Sequence, residues 1–321
     1  MSNTSITQSR KYGLDFLKGI AACFVVFMHV RFPEPTGRYV ALLGTFAVPV
    51  FFMTSGYFGY GASRAKTLRS IKRTATYLLV AYVLNILRIF VTEDFNPAAI
   101  YEFFVSEVFS LDHLVKLIIL SQSKISGVAW FLISLLMCYF LKYLLGDKLR
   151  YLGYLGIVVG VIGVLLPSGN FINIPINNSW INGIPFFIIG EILHSHEHFV
   201  AKNVKKIQLL CACLIGLVLI IVACYCKTQW WHIGTLLLSP ALFVLFSRSD
   251  MRYNKMCLLG SVYAFFIYIM HPLVMHVYDA LRPSLLPVEA WLRPLIVLLV
   301  TILMAWAYYT TKHTLVKKQT P

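Results

Sequence analysis

The chain is poor in charge. Asp, Glu, Lys and Arg make up 13% of its 321 residues, only 13 residues are acidic, and no stretch is polar enough over a sufficient length to surface a soluble domain. With 59% hydrophobic residues and a mean hydropathy of +0.74, an ordinary water-soluble globule is excluded. Cysteine supplies no framework either. Cys23, Cys138, Cys211, Cys213, Cys224, Cys226 and Cys257 lie in or at the ends of apolar runs. Their two C-x-C pairs would point in different directions on a helix, so no metal site or disulfide motif is expected and the thiols read as small hydrophobes. The net charge of +15 comes from cations scattered over many segments rather than from one patch, which argues against nucleic acid as a partner. No internal repeat is evident. The apolar run after Arg10 and Lys11 is long for a signal-peptide core, is interrupted by Lys18 and shows no small-residue cleavage site before Arg31, so it is expected to be retained.

What the chain has in abundance is long apolar runs. They fall at about Leu14–Val30, Tyr39–Tyr60, Ala75–Val91, Val128–Leu145, Tyr151–Leu166, Trp180–Leu193, Ile207–Cys226, Ile233–Phe246, Met256–Tyr278 and Leu292–Thr311. The expected fold is all-α: a polytopic transmembrane helical bundle of about ten spans, one membrane-embedded domain over 1–321 with no separate soluble domain. The fifth, sixth and eighth runs are short for a span and could lengthen into flanking residues or form one re-entrant element. Counted in every-other-loop register with the N-terminus inside, 18 of the 28 Lys and Arg fall in inner segments and 7 in outer ones, while Lys18, Arg88 and Lys142 lie within spans. That asymmetry predicts ten spans with both termini cytoplasmic. The longest non-spanning stretch, Thr92 to Gly127, contains an amphipathic segment, Leu111–Leu120, expected to lie along the outer interface.

Two ionisable residues interrupt the first run. Lys18 and His29 are eleven residues apart, so on a helix they share one face and are separated by a rise of ~16 Å. Such a face is ill suited to lipid and suits a bundle interior or a water-filled cavity, although Lys18 could also snorkel to one surface and His29 sit at the other. Further along, Ser55 and Gly56 within the second run allow a helix or a ligand to approach the backbone. Five cations follow between Arg64 and Arg73. They serve positive-inside retention, and equally they would form a phosphate-binding mouth, since Arg and Lys hold anionic phosphate groups.

These segments resemble acyltransferase family 3, the integral-membrane O-acyltransferases that modify bacterial surface polysaccharides. Leu14-Asp15-Phe16-Leu17-Lys18-Gly19-Ile20 running to His29 looks like its first-helix signature, Val50–Tyr57 like its second-helix motif, and Arg69-Ser70-Ile71-Lys72 like its R-x-x-R motif. Trp130-Phe131-Leu132, Pro185–Gly190 and Ile267-Tyr268-Ile269-Met270-His271-Pro272 are similar to further family segments, in order across nearly the whole chain. Lys72 stands where Arg is usual, with Arg73 directly after it, and Pro49 stands where many relatives carry Asp, which suggests the standalone sugar O-acetyltransferase branch. The resemblance implies a multi-pass enzyme of the bacterial inner membrane, embedded in membrane lipid, that moves an acyl group, most often acetyl, from acetyl-CoA to a sugar hydroxyl. The acceptor would be a surface polysaccharide or a lipid-linked glycan precursor. Acyl-CoA enters as co-substrate, and no permanently bound cofactor or metal is implied.

Histidine is suited to accepting the hydroxyl proton near neutral pH, so His29 is the candidate catalytic residue, as general base or as transient acyl carrier. Lys18 would lie toward the donor, where its charge could hold a phosphate or the thioester carbonyl. Arg69, Lys72 and Arg73 would grip the nucleotide end of the CoA. Asp15 could hold the Lys18 ammonium or belong to the helix start. Ser55, Trp130 and His271 are supporting candidates, with Arg88 and Glu191 beside them; each is also explained by packing, anchoring or a span-end charge, and His271 by a buried hydrogen bond next to Pro272. A transporter or exporter of a polysaccharide precursor is the alternative, because buried polar residues also mark transport routes.

Overall fold

The computed structural model describes residues 10–93, 95–165, 177–226, 231–281 and 286–319, and among them every regular element is helical. Leu166, at the end of one expected span, and the expected outer-loop cations Lys227 and Arg282 lie outside the described residues. Among the described residues, seven stretches are long and apolar enough to cross a membrane: Tyr12–His29, Thr36–Gly59, Arg64–Thr92, Trp130–Val158, Lys206–Tyr225, Lys255–Leu281 and Pro287–Lys312. The first is α1 (Tyr12–His29). The second comprises α2 (Thr36–Leu43), a 3₁₀ turn and α3 (Ala47–Gly59), and the third is α4 (Arg64–Thr92). Outside the bundle come α5 (Pro97–Glu102) and α6 (Leu111–Leu120). The latter is the amphipathic segment expected from the sequence: Ser110 caps its start, and Leu111, Val115 and Ile118 are exposed.

Between Trp130 and Val158 the chain reverses. α7 (Trp130–Leu145) ends at Gly146, whose φ of +55° is costly for any residue with a Cβ, and α8 (Leu149–Leu165) follows. The direction is fixed by α9 (Ile184–Ser195), which is entered through a π-turn, Ser179–Gly183. Ser179 donates to Ser134 near the start of α7, and Glu191 meets Lys142 near its end, so α9 runs parallel to α7. Gly153 of α8 packs on Ile188 and Gly156 on Pro185, so α8 runs antiparallel to both. The three runs judged short in the sequence are therefore separate helices: α8, the π-turn with α9, and α12 (Trp231–Ser247). Seven spans by length is what the structure supports directly.

The remaining elements are α10 (Glu197–Asn203), α11 (Lys206–Tyr225), α13 (Lys255–Leu258), α14 (Ala264–Leu281) and α15 (Pro287–Gln319). Cross-links gather alternate helix ends on one face. Lys11 before α1 pairs with Glu197 of α10, which also accepts from the Tyr57 hydroxyl of α3 at 2.6 Å. Arg248 after α12 donates to the Val204 carbonyl before α11 at 2.7 Å, and the Cys257 thiol of α13 reaches the Tyr12 carbonyl. This face carries Arg10, Lys11, Arg64–Arg73 and Lys202–Lys206, the cations expected to share one side. α3 and α9 come into backbone contact above it: a Cβ on Gly56 would overlap the Phe187 carbonyl, and one on Gly190 that of Met53. α1 sits centrally, touching α2, α3, α12, α13, α14 and α15, so that Lys18 is largely covered by protein while His29, at the end of the helix, stays exposed.

Candidate active site

α1 has aliphatic residues on most of its circumference, with Leu14, Leu17, Ala21, Ala22, Val25 and Val26 all buried. Lys18 is held on it by local geometry. Its ammonium lies 2.8 Å from Asp15 Oδ1, one helical turn back, while Asp15 Oδ2 accepts from Arg10 Nε at 2.9 Å. The carboxylate thus bridges two cations and fixes the Lys18 head group at a site where its side chain is only 16% exposed. At the other end of the helix, His29 is the last residue before a Pro-containing turn.

Lys18 opens into a cavity of about 450 Å³ at the cation-bearing face. Lys66, Arg73 and Lys142 also line it, together with the hydroxyl side chains of Ser55, Ser70 and Tyr139, and no acidic residue is among its described lining. On α4 the lining residues are Lys66, Thr67, Ser70, Arg73, Thr74 and Tyr77, the i, i+3, i+4 repeat of one helix face. Ser63 caps this helix by accepting the Lys66 N–H, so the positive end of its dipole lies beside the cations. The helical phase divides the expected phosphate-binding residues. All three are exposed, but Arg73 lines the cavity, whereas Arg69 and Lys72 are not part of its wall. Lys66, one of the five clustered cations, is part of it, and so is Lys142, which had no assigned role in the sequence. Lys142 is buried, with its ammonium 2.7 Å from Glu191 Oε1 on α9 and 3.4 Å from the exposed Asp147. The signal for that pair was present as two opposite charges in separate apolar runs, but nothing in the sequence aligns α7 with α9.

His29 lines a second, smaller cavity of about 90 Å³ toward the opposite face. Trp130, Trp231, Asn177, Asn182, Thr45 and Thr235 supply its polar and aromatic wall, and Val25, Met28, Val48 and Pro49 its aliphatic wall. Trp130 is therefore brought to His29, whereas Ser55 belongs to the larger cavity. His271 of α14 is fully buried with its ring against that of His29, centroids 5.2 Å apart. The two cavities have no lining residue in common. Aromatic rings stand between them: Phe51 and Phe52 of α3 lie 6.0 and 4.9 Å from Phe131, which lies 5.2 Å from Tyr268.

Chemically, the larger cavity gathers cations and several hydroxyl donors, the groups that hold anions, and the smaller has one histidine at a wall of mixed polar, aromatic and aliphatic side chains. One helix face joins them over the ~16 Å rise between Lys18 and His29. No curated protein and no solved structure matches the chain significantly. The family model of the acyltransferase domain matches residues 11–310, essentially the whole chain, and the protein belongs to that acyltransferase family of the membrane.

Proposed function

We propose that the protein is a ten-span O-acyltransferase of the bacterial cell membrane, with the cation-bearing face cytoplasmic. It takes an acetyl group from acetyl-CoA on that side and delivers it to a hydroxyl of a surface polysaccharide or lipid-linked glycan precursor on the other. The observation that carries this reading is the pair of cavities at the two ends of one α1 face, the larger lined by four cations and the smaller by His29. The antiparallel course of α7, α8 and α9 supports the count of ten, and the gathering of inner-loop cations on one face supports the orientation.

In this reading Lys18, Lys66, Arg73 and Lys142 hold the phosphates of the donor, and Arg69 and Lys72 add positive potential at the entrance. The pantetheine arm extends along α1 past Phe51 and Phe131 and brings the thioester to His29. His29 accepts the proton of the acceptor hydroxyl as its oxygen attacks the thioester carbonyl; the C–S bond breaks and the proton passes to the departing thiolate. Alternatively the His29 ring takes the acyl group first and releases it to the hydroxyl in a second step. Trp130 and Trp231 offer flat apolar faces to a sugar ring, with the Thr45 and Thr235 hydroxyls beside them.

Mass spectrometry of surface glycans and their lipid-linked precursors, from cells with and without the gene, tests the assignment. Loss of one acetyl unit per modified sugar is the expected result. Unchanged glycan masses with an accumulated precursor would favour an exporter instead.

A further inference from the structure

The two nitrogens of His271 are differently placed. Nδ1 is 3.0 Å from the carbonyl oxygen of Ile267, and since a carbonyl only accepts, Nδ1 carries the proton and Nε2 is the bare nitrogen of a neutral ring. Nε2 is buried and has no hydrogen-bond partner among the described residues. An unmet buried lone pair in a native fold calls for an explanation. The ring it belongs to lies against His29, with the planes tilted by 34°. Tyr268, the other aromatic neighbour at 6.2 Å, has its hydroxyl engaged by the Val128 carbonyl. A purely structural His271 would serve the helix around Pro272, which lacks an N–H, and that role uses Nδ1 and leaves Nε2 idle.

We propose that His271 is a positioning residue for His29: its Nε2 accepts the ring N–H of His29 and so selects the tautomer whose other nitrogen faces the acceptor hydroxyl. The inference rests on the reading of His29 as base or acyl carrier. A base held by a third group is the general arrangement for activated oxygen nucleophiles, and such hydrogen bonds are often long without substrate and tighten when it binds. During transfer the acceptor proton moves to the free nitrogen of His29 and on to the thiolate, while His271 gains and loses nothing.

Two amide substitutions separate the roles. Asn at 271 places its amide where Nδ1 sits and preserves the bond to Ile267, whereas Gln places an acceptor oxygen where Nε2 sits. Thiol release from acetyl-CoA is followed with the full-length protein in liposomes charged with a lipid-linked glycan extract. His271→Gln should keep kcat within about tenfold of the parent and His271→Asn should lose about 10²-fold, with KM for acetyl-CoA unchanged in both. Activity of His271→Asn equal to or above that of His271→Gln overturns the proposal. A second measurement avoids substitution at 271. Histidine ¹⁵N spectra of the protein in nanodiscs should show the His271 Nε2 signal shift when His29 is changed to Ala, and an unchanged signal also overturns it. An active His29→Ala protein would instead remove the base reading itself, and the positioning role with it.

Discussion

Glu191→Leu should destabilise the protein severely, and adding Lys142→Met should restore its stability without restoring donor affinity. The Lys142 and Glu191 side chains are only 7% and 9% exposed and their charged atoms lie 2.7 Å apart. Removing one partner of such a pair leaves an uncompensated buried charge and costs about 3–5 kcal/mol, whereas replacing both by apolar residues of similar volume is often neutral or stabilising. Asp147 offers little relief, since it is 3.4 Å away and 87% exposed. For a chain of this size the single change corresponds to a fall in Tm of about 4–7 °C. Lys142 also lines the larger cavity, and a charge-assisted hydrogen bond to phosphate contributes about 1.5–3 kcal/mol. The stable double variant should therefore bind acetyl-CoA roughly ten- to a hundredfold more weakly. Thermal unfolding in detergent and titration calorimetry with acetyl-CoA read the two quantities separately. A double variant that stays unstable would contradict the buried-pair argument, and one with parental affinity would remove Lys142 from the donor site.

His29→Ala should insert normally and lose about 10²–10⁴-fold or more in acyl transfer, while Lys18→Arg should retain part of the activity that Lys18→Ala loses; glycan mass spectrometry reports both. On α4, Arg73→Gln and Lys66→Gln should each raise KM for acetyl-CoA more than Arg69→Gln or Lys72→Gln, because only the first two line the cavity; equal effects would mean that the loop acts through its potential alone. Glu197 titrates outside the spans: burial pushes its carboxyl up, but hydrogen bonds from Lys11 and Tyr57 outweigh this and hold it below its ordinary value of 4.5. A depressed carboxyl stabilises the fold fully above that ordinary value and progressively less as pH falls below it. Tm should therefore drop on acidification through this range, and Glu197→Gln should flatten that part of the profile.

Features that depend on one segment were legible in the sequence. The apolar runs located the helices, Leu111–Leu120 emerged as an amphipathic helix, and the three-residue step from Asp15 to Lys18 allowed, beside a helix-start role, the ion pair that the structure shows. The family signature was readable because its motifs are local and ordered along the chain. Span length was harder to read, since the helices at Leu149–Leu165 and Trp231–Ser247 are each 17 residues and sit near the limit for crossing a bilayer. The phase of α4 was not readable at all, because its first turns carry cations on several sides and only packing shows that Arg73 lines the cavity while Arg69 and Lys72 do not. Contacts between distant segments, Lys142 with Glu191 and His29 with His271, come from helix pairing that periodicity does not encode.

The central claim is that donor and acceptor meet across the membrane, and transfer in oriented proteoliposomes tests it most directly. Labelled acetyl-CoA supplied only at the cation-bearing face should acylate a glycan acceptor confined to the opposite side, and acetyl-CoA supplied only on that opposite side should not. Acylation of an acceptor sealed on the cation-bearing side, with none across the membrane, would contradict the account.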